Sequence, residues 1–206
     1  MGDFLWWTFV RCWPLGAKCE VNWDAWAAVG TCAAVVVALC GPAVSRALVR
    51  KKADALFAMA YRKDLISALV KLNTIAEEYP FHDTNVSWAV ESMLEQEGKV
   101  RKRFLVLSRA LSALTSREVD LTKWPAVDLN LAAKVVIAIE TTKQFQLGAE
   151  HFAHPPADRD WNRMTSTVGR ALLDALLDVK AANDAAATAE RKIKKSSDES
   201  REGSVD

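Results

Sequence analysis

The residues best suited to chemistry are six cations between Lys99 and Arg117, a stretch without an acidic residue. Projected on a helix, all but one fall within a stripe of about 120°: Lys99, Lys102, Arg103, Arg109 and Arg117. Guanidinium and ammonium groups bind phosphates, and several copies of the stripe would form a cationic ring or groove. The sequence therefore predicts a phosphate or nucleic-acid ligand site here. The alternative is a solvated helix face partly offset by Glu91, Glu95 and Glu97.

No enzyme is predicted from the remaining motifs. The chain lacks GxxxxGK[ST], GxGxxG and GxSxG, and EHFAH at 150–154 is not the HExxH pattern of a zinc site. Two prolines follow that segment, so it is better explained as the end of a helix than as a metal site. We therefore expect no catalytic residue, no metal and no cofactor.

An uncharged segment near the N-terminus is long enough to cross a bilayer. It runs from Ala25 to Val44, and twenty helical residues at about 1.5 Å each match a hydrocarbon core of roughly 30 Å. A secretory signal would need a basic region before the apolar stretch, whereas here the basic residues follow it. A buried core helix is the other alternative. The sequence predicts a transmembrane helix over 25–45.

The flanks of this segment predict its orientation. Amphipathic indoles stand at its start and basic residues follow its end: Trp23, Trp26, Arg46, Arg50, Lys51 and Lys52. The positive-inside rule therefore places the C-terminal part in the cytoplasm and the N-terminus outside. The basic residues after the span also suit anionic lipid headgroups.

One face of the predicted span consists of small residues. Ala27, Gly30, Ala34, Ala38 and Gly41 fall within about 80° of one another, and Thr31 is the only hydroxyl in the stretch. Such a face allows close backbone approach between helices in lipid, so we predict that it forms the oligomer or pore interface. The alternative is that alanine is simply common in this chain.

The segment 1–24 is expected to lie outside the cytoplasm at the membrane interface. Its aromatic run at 4–10 is too short to cross a bilayer. Cys12 and Cys19 bracket a turn-forming WPLGAK and are a candidate disulfide, with two unpaired thiols as the alternative.

Apolar periodicity predicts an all-α fold of one transmembrane helix and a cytoplasmic bundle of about four helices over 46–195. We expect the first of these to run to Tyr79, the second over about 86–115, the third over about 126–152 and the fourth to about Lys192. The first has an apolar seam with alternating spacings of four and three that predicts packing against partner helices: Leu65, Leu69, Leu72, Ala76 and Tyr79. The predicted core face of the second consists of Val100, Phe104, Leu107, Leu111 and Leu114. Residues 196–206 are polar and predict a flexible tail.

Three functions are compatible with this organisation. The first is an oligomeric ion channel or pore gated by the cytoplasmic helices, because spans with small uncharged faces can close by dewetting. The second is a membrane-tethered adaptor or scaffold that binds a cytoplasmic protein. The third is a chemoreceptor-like or secretion-accessory subunit.

The aromatic N-terminus, uncharged span, basic juxtamembrane helix and compact helical domain resemble small membrane effectors of bacterial antiphage systems. Among these the layout is similar to the channel subunits of Hailong systems. The resemblance implies a homotetramer held closed by a nucleotide or single-stranded DNA oligomer that a partner nucleotidyltransferase makes. It also implies that the stripe from Lys99 to Arg117 binds this ligand.

Overall fold

The computed structural model describes residues 10–11, 20–21, 23–81, 87–153 and 160–202, with side chains over 26–81, 87–152 and 160–194. The described part is all-helical, as predicted, apart from two short paired strands. Its six α-helices are α1 (Trp23–Glu78), α2 (Ser87–Gln96), α3 (Gly98–Arg109), α4 (Ser112–Thr115), α5 (Leu129–Ala153) and α6 (Trp161–Glu202). A 3₁₀ turn, Leu121–Lys123, precedes α5.

The chain divides into two compact units, Met1–Val49 and Arg50–Asp206. In the first unit, β1 (Val10–Arg11) pairs antiparallel with β2 (Glu20–Val21). Cys12, Cys19 and most of the aromatic run at 4–10 lie outside the described residues, so the disulfide stays a prediction.

Helix α1 contains the predicted span. It is long and apolar enough to cross a membrane, with a mean hydropathy of 2.1 and no buried residue in its most apolar window. Pro42 lies inside the helix and does not end it. Because proline has no N–H, the Ala38 carbonyl receives no helical hydrogen bond there. The helix ends before Pro80, as the sequence predicts.

The core of the second unit is apolar and rich in aromatic residues. The predicted seam of the first cytoplasmic helix faces it: Leu65, Leu72 and Tyr79 are buried, and Leu69 and Ala76 pack at its edge. The predicted core face of the second helix also packs here, with Phe104 at the centre of an aromatic cluster. Periodicity therefore identified the buried faces correctly.

The continuous helix predicted over about 86–115 is wrong, because this segment forms α2, α3 and α4. Glu97 is extended, with φ −106° and ψ 100°, and separates the first two. Arg101 donates to the carbonyls of Leu94 and Glu95 at 2.7 and 2.8 Å, so it caps the end of α2. A side-chain cap of this kind replaces the backbone bonds that a broken helix loses.

The second interruption, at Ala110 and Leu111, is stabilised from two other helices. Lys71 of α1 donates to the Ala110 carbonyl, and Gln146 of α5 donates to the Ser108 carbonyl at 2.8 Å. Both carbonyls lie at a helix end, where helical N–H donors run out, although the Ser108 carbonyl also accepts the N–H of Leu111 at 3.1 Å. Tertiary contacts thus compensate for the break.

Aspartates begin the last two long helices. Asp128 accepts the N–H of Asn130 at 2.8 Å, just ahead of α5. Helix α5 begins at Leu129, three residues later than the predicted start near 126. Asp160 accepts the N–H of Arg163 at 3.1 Å and opens α6, as expected for an N-cap. Helix α6 runs to Glu202, beyond the predicted end near Lys192. The flexibility of 196–206 stays a prediction.

Gly169 of α6 allows a close approach of Phe81, and a methyl group there is expected to destabilise the bundle. A Cβ at this position would lie 2.6 Å from the Cβ of Phe81. We expect Gly169→Ala to lower the free energy of unfolding by about 1–3 kcal/mol, because relieving the clash must displace the Phe81 backbone or the helix.

Chemical denaturation followed by circular dichroism would measure this change. Gly98→Ala is the matched control, since a Cβ there would meet only the flexible end of Arg101, at 3.6 Å. Equal midpoints for the two variants would contradict the packing argument.

Candidate functional site

The predicted interface on the span is exposed along α1. Ala27, Gly30, Ala34 and Ala38 are exposed and Gly41 is half-exposed. A Cβ added at Gly30 or Gly41 would meet no atom within 4 Å. The chain therefore leaves the space beside both glycines open for another molecule.

Thr31 has its hydroxyl engaged within its own helix. Its Oγ1 donates to the Ala27 carbonyl at 2.8 Å. An uncharged segment whose only hydroxyl is bonded internally offers few groups that bind an ion. Weak ion selectivity is the consequence if these residues line a pore.

The residues that flank the predicted span on both sides all lie within α1. The Trp26 side chain is 52% exposed, and Trp23 begins the helix. Arg46, Arg50, Lys51 and Lys52 are exposed. Exposed basic side chains in this position suit lipid phosphates, and both location in a membrane and orientation there stay predictions.

Three members of the basic stripe pair with carboxylates from other helices. Arg103 Nε lies 2.5 Å from Glu78 Oε1 on α1. Arg117 Nε lies 2.8 Å from Asp64 Oδ2, also on α1. Arg109 Nη2 lies 4.0 Å from Glu150 on α5. All three cations are more than half exposed, so each pair contributes little stability.

Lys99 and Lys102 complete the stripe. Both are exposed, and neither pairs with a carboxylate among the described residues. The stripe does not lie on one helix, because Lys99, Lys102, Arg103 and Arg109 belong to α3 and Arg117 follows α4. A phosphate ligand would therefore compete with three carboxylates at the arginines and with water alone at the lysines.

Sequence reasoning missed a second apolar stripe on α1. Leu56, Met59, Ile66 and Val70 are 42–60% exposed, on the side of the helix opposite the buried Leu65 and Leu72. We call these four residues the outer stripe. Their spacing of three, seven and four positions follows the heptad pattern of helices that pack together, with the exposed Lys63 at the intervening heptad position. That spacing is readable in the sequence, but only the fold shows which of the two apolar faces is already covered.

Shifted pKa values fall on groups with structural roles. Burial raises the pKa of Tyr61, whose hydroxyl donates to the Glu118 carbonyl at 3.1 Å. Burial likewise raises the pKa of Tyr79, which donates to the Val100 carbonyl. Hydrogen bonds from Thr122 lower the pKa of Asp120. Each group holds a turn or a helix end in place.

Glu150 and His151 are engaged in ways that do not require a metal. Glu150 pairs with Arg109, and a ring nitrogen of His151 lies 2.8 Å from the Leu147 carbonyl. His154 lies outside the described residues. Among those described, no group of three or more potential ligands could hold a metal ion.

Comparison of the chain with protein-family models, with curated proteins and with solved structures finds no match.

Proposed function

We propose that this chain is a single-span membrane protein whose copies assemble through α1 into a pore, with the helices after residue 50 as its regulatory domain. The small-residue face of 27–41 would pack the spans together. The outer stripe would continue the association in the cytoplasm. The basic residues after the span favour an N-terminus outside the cytoplasm, and the resemblance to Hailong effectors favours a bacterial inner membrane.

The observation that carries this proposal is the apolar surface that α1 leaves exposed. Residues 27–40 are exposed throughout, and the outer stripe remains exposed although the opposite face of the same helix is buried. Four large apolar side chains in heptad spacing suit a second copy, because copies anchored by one span share an orientation in the membrane. Membrane anchoring also raises their local concentration.

The regulatory part of the proposal rests on connectivity. One helix, α1, supplies both the span and a wall of the core. A ligand that changes the packing of this wall would act directly on the helix that forms the pore. A nucleotide or short single-stranded DNA bound at the cations of α3, with a partner nucleotidyltransferase as its source, is the regulation that the resemblance to Hailong effectors favours.

Ion flux from liposomes tests the pore. Purified full-length protein is expected to release an entrapped fluorescent ion indicator, with little preference between sodium and potassium. The control is Gly30→Leu/Ala34→Leu in identical liposomes, which should reduce the flux at least tenfold because packed spans cannot form. Protein that never conducts, with or without a cellular extract that supplies ligands, would contradict the pore.

A membrane-tethered adaptor is the second candidate function. Its support is apolar surface on other helices, where Leu129 and Leu147 of α5 and Leu177 of α6 are 75, 51 and 58% exposed. A cytoplasmic protein bound there would need no pore. A chain that never conducts but retains one stoichiometric partner through purification would favour the adaptor.

A further inference from the structure

A cleft of about 880 Å³ lies in the second unit. It is lined by residues 51–54 of α1, by residues 128–134 at the start of α5 and by residues 181–192 of α6. Three lysines line it, one from each helix: Lys51, Lys134 and Lys192. Lys134 is half-buried and the other two are exposed. None of the three pairs with a carboxylate among the described residues. The fold thus collects three cations that lie far apart in the sequence.

Three aspartates also line the cleft, but two of them have structural partners. Asp54 accepts the N–H of Asp128 at 2.7 Å, and Asp128 in turn accepts the N–H of Asn130 at 2.8 Å. These bonds hold the loop before α5 against α1 and cap the helix. Asp184 is exposed and has no such role. Two of the three carboxylates, those of Asp54 and Asp128, are therefore engaged by backbone N–H groups rather than by the lysines.

The balance of charge limits the kind of ligand. Three lysines and three aspartates give the lining no formal net charge, so the cleft creates no strong field that would draw in a long polyanion. Binding must instead come from direct contact. An ammonium group is a good partner for a phosphate oxygen, and the cleft has the volume typical of small-molecule sites.

We propose that this cleft binds one phosphate group, carried either by a lipid headgroup or by a small soluble ligand. Lys51, Lys134 and Lys192 pair with the phosphate oxygens. Asp184 accepts a hydrogen bond from a hydroxyl or amine elsewhere on the ligand. This site is distinct from the cations of α3 and does not depend on the pore.

Two sources of phosphate suit the position of the cleft in the chain. Lys51 follows Val44, the last residue of the uncharged segment, by seven positions, which favours a headgroup. The cleft is also open to solvent, which favours a soluble phosphate ester. The chemistry is the same in both cases, so the experiment needs one arm for each source.

The test uses the full chain and two phosphate probes. In dodecyl maltoside, a detergent without phosphate, glycerol 3-phosphate is titrated and its binding is followed by ³¹P line broadening. In a second arm, protein is extracted from nanodiscs of phosphatidylcholine mixed with phosphatidylglycerol, and native mass spectrometry measures the retained lipid. Binding in the first arm identifies a soluble ester, and retained phosphatidylglycerol identifies a headgroup.

Lys134→Gln/Lys192→Gln is the decisive variant, because glutamine keeps most of the side-chain stem and removes the charge. We expect at least tenfold weaker binding in whichever arm is positive. Lys123→Gln/Lys180→Gln removes the same charge from two exposed lysines that line neither this cleft nor the basic stripe, and should leave binding unchanged. Circular dichroism and the melting temperature establish that both variants fold. Absence of binding in both arms, or equal losses in the two variants, would overturn the proposal.

Discussion

Replacing Phe104 with alanine is expected to lower the free energy of unfolding of the helical bundle by about 3–5 kcal/mol. Its side chain is completely buried. Its ring centroid lies 4.9 Å from that of Tyr79, 5.8 Å from Phe81, 6.0 Å from Phe145 and 5.7 Å from Phe152. Alanine would leave a cavity among four rings from two parts of the chain, the segment that follows α1 and helix α5, which cannot all move inward together.

Thermal unfolding of the full chain in detergent would measure this loss. A change of this size corresponds to a fall in melting temperature of roughly 6–20 °C. Val106→Ala is the control on the same helix, because its side chain is 66% exposed, and it should change stability by less than about 0.5 kcal/mol. Similar melting temperatures for the two variants would show that Phe104 is not the centre of the core.

Replacing Gly30 and Ala34 with leucine is expected to weaken association of the full chain at least tenfold. Close packing in lipid depends on small residues, and two leucines would hold neighbouring backbones apart. The single chain itself should tolerate the change. Gly30 has no atom within 4 Å of an added Cβ, and Ala34 is exposed. Any effect on oligomer size must therefore come from contacts between copies.

Native mass spectrometry in detergent gives the oligomer size directly. Cys32→Leu/Val36→Leu adds bulk to the opposite face of the same helix and is expected to leave the oligomer intact. An unchanged oligomer in Gly30→Leu/Ala34→Leu would place the interface elsewhere. Disruption by both double variants would mean that the small-residue face has no special role.

Much of the fold was predictable because the signals are local. Helical periodicity of apolar residues depends only on neighbours a few positions away, so the buried faces of α1 and α3 were predicted correctly. The end of α1 was also predicted, since Pro80 cannot continue a helix. The interruption at Glu97 was missed. Gly98 weakens the helix there, and the cap that stabilises the break comes from Arg101, which the sequence pattern left outside the basic stripe.

The candidate sites were predictable only in part. The small-residue face of the span follows from helical geometry alone. The cations of α3 could be recognised in the sequence as a basic run. The carboxylates of α1 that pair with Arg103 and Arg117 could not be predicted. Such pairs join residues far apart in the chain, so no local pattern indicates them.

The sequence by itself determined that this chain is helical, which faces of its helices are apolar and which segment suits a membrane. These properties follow from residue types at fixed helical spacing. Only the tertiary structure decided which apolar face of α1 is covered and which remains the outer stripe. It also decided that Lys51, Lys134 and Lys192 line one cleft. The physical reason is the same for the outer stripe and for the cleft. Each depends on how helices that are distant in the sequence pack together, and that arrangement is set by the whole core.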